Sequence, residues 1–448
     1  MKSQRIAAVA AVAAVVLTLG ACSAPTKSEG TGELAGNGKT LTVLTFVDAL
    51  YPQEQKDWFR TVSDAFEKKT GAKVNFETFA TANDELTKIQ TSALSGQGPD
   101  IYSLGSTFTP TAYATRAFVT MTDADWGKVG GRDRFVASQL GLSGPDAKNE
   151  IGIPFLSFPM VMAYNKDLLA AAGVDKVPTT WDELTDAAEK VTSGDVHGLA
   201  IGYADNFDPW KFIWAMSKQA GNGLVDVETK RASIDDPTVL RAYETYFGWY
   251  RDGLVDPASV GWKNAQAGAA FAAGKAAFLP MISTPSRAVL AKSPVADSYA
   301  FAVMPTVPPG ETKRPSNGVD AASILAGQNL VVAEYSPEKD LAFALIEMIT
   351  SAEWQVDYFN LFGAMPTNTK ASAKVVHENS DLSPIELAAT RSVATPFTGA
   401  WGDTQLALTN VVVQSLPALQ GRSLTTADIK AAVAKAQVDS QTALDRSK

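Results

Sequence analysis

LTVLTF at residues 41–46, KVNFETF at 73–79 and IYSL at 101–104 are the segments from which the fold class can be predicted. Each segment is short, apolar and rich in β-branched or aromatic side chains, which favours a buried strand. QEQKDWFRTVSDAFEKK at 53–69 and DELTKIQTSALS at 84–95 separate these segments and carry apolar residues at helical spacing. The order strand, helix, strand, helix, strand predicts an α/β fold with a mainly parallel sheet flanked by helices.

The rest of the chain continues this alternation. Further strands are predicted at 150–154, 161–165, 199–202, 276–282, 299–303 and 327–333. Further helices are predicted at 209–220, 237–252, 337–350, 352–361, 401–416 and 426–444. Thr180 and Glu183 have the spacing of a capping box, which predicts that a helix begins there. Pro417 is expected to end or kink the helix at 401–416. The pattern is that of two α/β units with no long linker between them.

Composition limits the classes of function. The chain has 448 residues, 46% of them hydrophobic, which predicts two or three domain-sized units. Its 39 basic and 48 acidic side chains give a net charge of −9, which disfavours nucleic acid and anionic membrane surfaces as partners. One cysteine and two histidines exclude an internal disulfide and disfavour a metalloenzyme or a cysteine protease. We therefore expect no metal and no cofactor.

The N-terminus has the features of an export signal. Lys2 and Arg5 precede a nearly continuous apolar run from Ile6 to Leu19, which is shorter than the roughly 20 residues that span a membrane. The run ends in Leu-Gly-Ala-Cys at 19–22, which resembles the bacterial lipoprotein box. The resemblance implies that residues 1–21 are removed and that Cys22 is lipidated. Residues 22–38 then form a flexible linker, and the protein is held outside the cytoplasmic membrane.

Five short motifs together carry a family resemblance. They are Gly96–Asp100, Tyr164–Leu168, Pro178–Leu184, Phe271–Phe278 and Gly363–Pro366. In this order and spacing they resemble the family 1 extracellular solute-binding proteins of ABC transporters, the maltose-binding-protein-like group. The resemblance implies a two-lobe fold of the periplasmic-binding-protein type II, in which the lobes close around a ligand by a hinge motion. It also implies a monomer that captures a sugar and delivers it to membrane permease subunits without catalysing a reaction.

The resemblance also predicts how the chain is divided. The first lobe is expected to consist of residues 39–153 and 305–335. The second lobe is expected to consist of residues 154–304 and 336–448. Each lobe is thus discontinuous in sequence, which accounts for the missing linker.

A sugar presents an apolar face and a rim of hydroxyl groups, so its site needs a flat aromatic side chain and convergent polar groups. By the resemblance, the loop before one helix supplies Asp208 and Trp210, and the start of a late helix supplies Trp401 and Asp403. Glycines on either side of Trp401 favour a ring that its neighbours leave uncovered. Trp210 has the alternative of a core position, and Asp208 the alternative of a helix cap.

The remaining candidate residues are expected at strand ends and at the crossover between lobes. Asp48 is also plausible as a turn residue. The charged pairs that the family's maltose binders carry are replaced here by Asp48 alone and by Thr107-Phe108, which speaks against maltose. The full set of these further candidates is Phe46, Asp48, Ser106, Thr107, Phe108, Phe155, Ser157, Gln328 and Asn329.

Two rival functions remain open. The same fold could bind a choline-type or polyamine cation enclosed by Trp210, Trp401 and Asp208 through cation–π contacts, or a glycerophosphodiester. A secreted glycosidase-like enzyme would need two carboxylates across a cleft, which 48 acidic side chains do not exclude. A nucleophile elbow is absent, and the segment 268–275 lacks the spacing and the hydroxyl of a P-loop.

Overall fold

The computed structural model describes residues 36–447, so the expected signal peptide and Cys22 lie outside the described residues. The described chain forms strands β1 (Thr40–Phe46), β2 (Lys73–Phe79), β3 (Ile101–Gly105), β4 (Ile153–Ser157), β5 (Val161–Asn165), β6 (His197–Leu199), β7 (Val225–Asp226), β8 (Arg231–Ala232), β9 (Ala276–Ile282), β10 (Tyr299–Ala302), β11 (Ser323–Ile324), β12 (Gly327–Val332), β13 (Met365–Pro366) and β14 (Ser392–Val393).

The strands alternate with helices along most of the chain. The helices are α1 (Pro52–Thr70), α2 (Ala82–Ser95), α3 (Thr109–Thr115), α4 (Asp123–Lys128), α5 (Lys166–Ala171), α6 (Trp181–Val191), α7 (Pro209–Gln219), α8 (Pro237–Arg251), α9 (Asn264–Ala272), α10 (Ser286–Leu290), α11 (Lys339–Ile349), α12 (Ala352–Phe362), α13 (Thr369–Glu378), α14 (Ser383–Thr390), α15 (Trp401–Gln420) and α16 (Thr426–Arg446). The strand–helix alternation predicted for residues 41–104 is confirmed.

Local sequence sets most helix ends. The capping box at the start of α6 is confirmed, because the Thr180 hydroxyl accepts from the Glu183 N–H and the Glu183 carboxylate accepts from the Thr180 N–H. Pro417 was predicted to end or kink the helix at 401–416. It does not end the helix, since α15 continues to Gln420. Leu419 is fully buried in the core, and this packing offsets the hydrogen bond that a proline cannot donate.

The larger sheet has six strands in the order β13-β4-β12-β3-β1-β2. Strand β1 pairs in parallel with β2 and with β3, as expected for strands joined by α1 and α2. Strand β12 pairs antiparallel with β3 and β4, and β13 pairs antiparallel with β4. The parallel part of this sheet is therefore the part built from the first strand–helix alternation.

The smaller sheet has four strands in the order β10-β5-β9-β6. Only β6 and β9 are parallel there, whereas β5 pairs antiparallel with both β9 and β10. The expectation of mainly parallel sheets is thus too simple, and both sheets are mixed. Residues 158–160 carry the chain directly from β4 in one sheet to β5 in the other, without a crossover helix.

Helix packing assigns the elements to two lobes. The first lobe is the six-stranded sheet with α1–α4, α11 and α12, and the second lobe is the four-stranded sheet with α5–α10 and α13–α16. Residues 336–448 were all expected in the second lobe. Helices α11 and α12 instead pack beside α1, where Leu341, Ile346 and Phe362 share a core with Trp58 and Phe66. We propose lobe boundaries that follow this packing.

Candidate functional site

The expected ligand residues after β1 lie at the edge of the first sheet where β1 and β3 both end. Phe46 is half-buried at the end of β1, and Asp48 lies in the turn that follows. Asp48 Oδ1 accepts the N–H groups of Leu50 and Tyr51, each at 3.0 Å. Burial raises the pKa of Asp48, and these two donors oppose the rise. The carboxylate thus organises the turn into α1.

Ser106, Thr107 and Phe108 form a short 3-10 turn directly after β3, and all three are buried. The Ser106 hydroxyl donates to the carbonyl of Leu325 at 3.5 Å. A Cβ atom on Gly402, at the start of α15, would lie 3.2 Å from the Phe108 ring. This turn therefore meets the second lobe beside Trp401.

Four candidates belong to the strands that join the lobes. Asn329 is buried in β12 and donates to Thr109 Oγ1 at 3.0 Å and to the Leu142 carbonyl at 3.1 Å. Gln328 is half-buried, and its Oε1 accepts a hydrogen bond from the Ser103 hydroxyl at 3.4 Å. Phe155 packs edge-to-face on Tyr358, with ring centroids 5.4 Å apart, and Ser157 is buried at the end of β4. Asn329 and Phe155 thus contact residues of the first lobe itself.

Trp210 and Trp401 contact each other. Their ring centroids lie 5.8 Å apart with an interplanar angle of 73°, an edge-to-face pair. Trp210 is 3% exposed and Trp401 is 0% exposed, and both belong to the core of the second lobe. Among the described residues the indole N–H of Trp401 has no hydrogen-bond partner. The pair is thus buried yet retains an unpaired donor.

The flanking glycines do not leave the Trp401 ring uncovered, so that expectation is wrong. A Cβ atom on Gly399 would lie 2.5 Å from the Ala114 Cβ, and one on Gly402 would lie 2.7 Å from Thr111 Oγ1. Both glycines therefore serve close contact between α3 of the first lobe and the start of α15. The two glycines bring α3 close to α15 instead of leaving the Trp401 ring uncovered.

Asp208 precedes α7 but does not cap it, since its side chain makes no capping hydrogen bond. Its carboxylate contacts Lys211 Nζ and Asn264 Nδ2. Burial raises the pKa of Asp208, Lys211 lowers it, and Asp205 raises it further. Asp205 instead accepts the N–H of Phe207 at 2.8 Å and of Asp208 at 3.2 Å. Asp208 is thus a half-buried carboxylate with a cation already beside it.

Asp403 faces a different space. It lines a cavity of about 1210 Å³ between α3, the segment 397–400 and the C-terminal end of α16. Burial raises the Asp403 pKa, and the Arg446 charge opposes this rise. Tyr113 and Phe397 form an edge-to-face pair on the same cavity, with centroids 5.7 Å apart.

Two residues of this region were missed by sequence reasoning. Phe207 of the second lobe packs against the first-lobe core that contains Phe108. Glu85 of α2 is 2% exposed, and its Oε1 accepts the N–H of Gly105 at 2.7 Å. Burial raises the pKa of Glu85 to about 8, against the opposing effect of that hydrogen bond. An acidic residue in phase with Leu86 and the other apolar positions of α2 is the signal that could have revealed Glu85.

The described residues contain no group of three His, Cys, Asp or Glu side chains that could hold a metal ion. No helix among residues 36–447 is both long and apolar enough to cross a membrane. Buried aromatic rings and a few buried polar groups lie near the junction of the lobes. Such residues are typical of sites that bind small molecules.

Comparison with known proteins agrees with this description. The family model of the bacterial extracellular solute-binding proteins matches residues 51–356. The diacetylchitobiose binding protein DasA of Streptomyces coelicolor is 25% identical over 411 residues, which cover 90% of this chain and 90% of that protein.

Solved structures share the fold. A solute-binding protein of an ABC transporter from Thermotoga lettingae, bound with α-D-tagatose, has a TM-score of 0.74 at 21% identity and covers 91% of this chain and 100% of its own. Maltose-bound MalE3 of T. maritima has a TM-score of 0.73 at 19% identity and covers 89% of this chain and 99% of its own. At these identities the likeness establishes the two-lobe fold.

Proposed function

Because this chain belongs to the bacterial extracellular solute-binding proteins, we propose that it captures a mono- or oligosaccharide between its two lobes for an ABC importer. Binding, closure and delivery to permease subunits are the whole of its task, and no covalent bond is made or broken. The relatives support the solute class, since DasA is named for diacetylchitobiose and two structural neighbours hold tagatose and maltose.

The observation that carries the proposal is the Trp210–Trp401 pair at the junction of the lobes. Two indoles offer the flat apolar surface that a pyranose C–H face requires. The unpaired N–H of Trp401 is a donor that a sugar hydroxyl would satisfy, since leaving such a group buried and unpaired costs about 1–3 kcal/mol. Phe108 approaches from the first lobe across Gly402.

We assign the polar rim of the site to residues beside this pair. Asp208 is the acceptor on the second lobe, and Ser106, Thr107 and Gln328 lie at strand ends of the first lobe. In this proposal the lobes open before a solute reaches the indole pair, because both rings are buried. Binding and opening of the lobes are therefore coupled in this proposal.

A cationic solute is the weaker candidate. The cation–π enclosure needs the Asp208 carboxylate as a counter-charge, but Lys211 Nζ already contacts it. A second cation would meet repulsion from that ammonium group. A neutral, hydroxyl-rich solute avoids this conflict.

We also propose that Cys22 anchors the protein outside the cytoplasmic membrane as a lipidated N-terminus. The proposal rests on the apolar run and the small residues that precede Cys22. A tether at this position would keep the lobes near the permease. A monomer suffices for this role.

Titration calorimetry tests the carbohydrate proposal. The panel comprises diacetylchitobiose, maltose, tagatose, ribitol, glycerophosphocholine and spermidine. We expect heat of binding from at least one sugar or polyol, and loss of that binding in Trp210→Leu. Trp214→Leu is the matched control, since Trp214 lies on the same helix and is equally buried. Binding confined to glycerophosphocholine or spermidine would overturn the carbohydrate assignment.

A further inference from the structure

We propose that Thr111 is a positioning residue for solute binding, because its hydroxyl caps α15 across the boundary between the lobes and so holds them together. The inference rests on the proposed function, in which solute is enclosed between the lobes. Thr111 does not need to touch the solute for this role.

The contact consists of two hydrogen bonds that share one hydroxyl group. Thr111 Oγ1 accepts the N–H of Gly402 at 3.1 Å and donates to the carbonyl of Gly399 at 3.1 Å. Thr111 lies on α3 of the first lobe and is 5% exposed, whereas both glycines lie at the start of α15 in the second lobe. One side chain thus bridges the two lobes through backbone groups.

Helix α15 has no cap of its own. Its N-cap residue is Ala400, which makes no side-chain hydrogen bond, although the first N–H groups of a helix need acceptors. Helices α4, α6 and α16 each begin with a threonine that caps its own helix. In α15 the same chemistry comes from a residue 291 positions earlier in the chain.

The sequence around α15 is adapted to this contact. Gly399 and Gly402 are both outside the left-handed φ region, so backbone conformation does not require glycine at either position. A Cβ atom would lie 2.5 Å from the Ala114 Cβ at Gly399 and 2.7 Å from Thr111 Oγ1 at Gly402. Close approach of α3 is therefore the reason for both glycines.

The contact can exist only while the lobes are together. Separation would break both Thr111 hydrogen bonds and return the Gly402 N–H to water. A bond present in one state only biases the equilibrium toward that state. Thr111 therefore raises solute affinity by favouring the closed arrangement.

Spin-label distances test the contact without any solute. The full chain carries Cys22→Ser and labels at Leu94 on α2 and Val438 on α16, which are 91% and 62% exposed. We expect Thr111→Val to lengthen and broaden the distance distribution, while Thr111→Ser keeps it. Thr115→Val is the matched control, because the Thr115 hydroxyl bonds only to Ala112 and Ala117 of its own segment.

A compensating pair of substitutions gives a second test that does not depend on Thr111. Gly399→Ala places a methyl group against Ala114 and should shift the distances as Thr111→Val does. Among the described residues, Ala114 Cβ is the one atom within 4 Å of this methyl group. Adding Ala114→Gly removes that atom, so the double variant should regain the distances of the unsubstituted chain. Ala114→Gly alone controls for the loss of helix propensity.

The dissociation constant for the solute provides a third test. For whichever panel solute binds, Thr111→Val should raise the dissociation constant about tenfold, equivalent to about 1.4 kcal/mol, and Thr111→Ser should restore it. Unchanged distances and affinity in Thr111→Val and in Gly399→Ala would overturn the proposal. If no panel solute binds, the carbohydrate proposal fails, while the solute-free distances still decide the role of Thr111.

Discussion

Single side chains at the junction of the lobes combine packing with polarity. Trp401 is fully buried, and its N–H has no partner within residues 36–447, whereas Glu85 is a carboxyl group held in an apolar core with one backbone donor. Both arrangements are costly for stability alone, since buried polar groups are normally paired. Such residues are therefore where binding and stability should be measured together.

Trp401→Ala should lower both solute affinity and the stability of the empty protein. Deleting a fully buried tryptophan side chain costs about 3–5 kcal/mol through lost burial and the remaining cavity. Denaturant unfolding of the solute-free protein measures this loss, and Trp401→Phe should recover part of it. An unfolding free energy that Trp401→Ala leaves unchanged would contradict the burial of the ring.

Glu85 should make stability depend on pH. Its pKa is raised from 4.5 to about 8 in the folded protein, so the folded state keeps a proton that the unfolded state has released. The free energy of unfolding should then fall as pH rises from about 4.5 to about 8, by at most about 1.4 kcal/mol per pH unit. Unfolding of Glu85→Gln at pH 5, 6, 7 and 8 should lack this slope. Identical slopes in the two proteins would exclude Glu85 as its source.

At the scale of elements, local sequence decides where helices begin. Thr122, Thr180 and Thr425 cap their own helices in capping boxes. These ends are readable because the donor and acceptor lie within three residues of each other. Helix α15 differs, since its cap comes from α3 and no local pattern reveals it.

Removal of one capping hydroxyl should have a moderate, purely structural effect. Thr180→Ala leaves the first N–H groups of α6 without their side-chain acceptor and should lower the free energy of unfolding by about 1 kcal/mol. Chemical denaturation measures the loss, and Thr180→Ser should stay close to the unsubstituted protein. Solute affinity should not change, and a large change would link α6 to the binding site.

At the scale of the whole molecule, the chain crosses repeatedly between its two sheets. Residues 158–160 make the first crossing, and the segment between β10 and β12 makes the next. Two such connections side by side suit a hinge, because they permit rotation of one lobe against the other while keeping the lobes joined. The expected membrane tether precedes this unit in the sequence.

Cys22→Ala should release the protein from the membrane fraction of its host. The substitution removes the thiol that the proposed lipid requires, and none of the helices between residues 36 and 447 is long and apolar enough to cross a membrane. Fractionation followed by immunoblotting measures the change, with Ser23→Ala as the neighbouring control. Continued retention of Cys22→Ala in membranes would refute lipid anchoring.

The strand–helix alternation of residues 41–104 and the positions of the longer helices follow from the sequence alone. These features depend on periodicity and on partners a few residues away, so they can be read locally. Tertiary structure alone decided that α11 and α12 cover the first sheet, that half of the strands run antiparallel to their neighbours and that Trp401 is buried. It also brought Thr111 to Gly399 and Gly402, nearly 300 positions later in the chain. Such contacts arise from the packing of whole lobes, which no local pattern of side chains records.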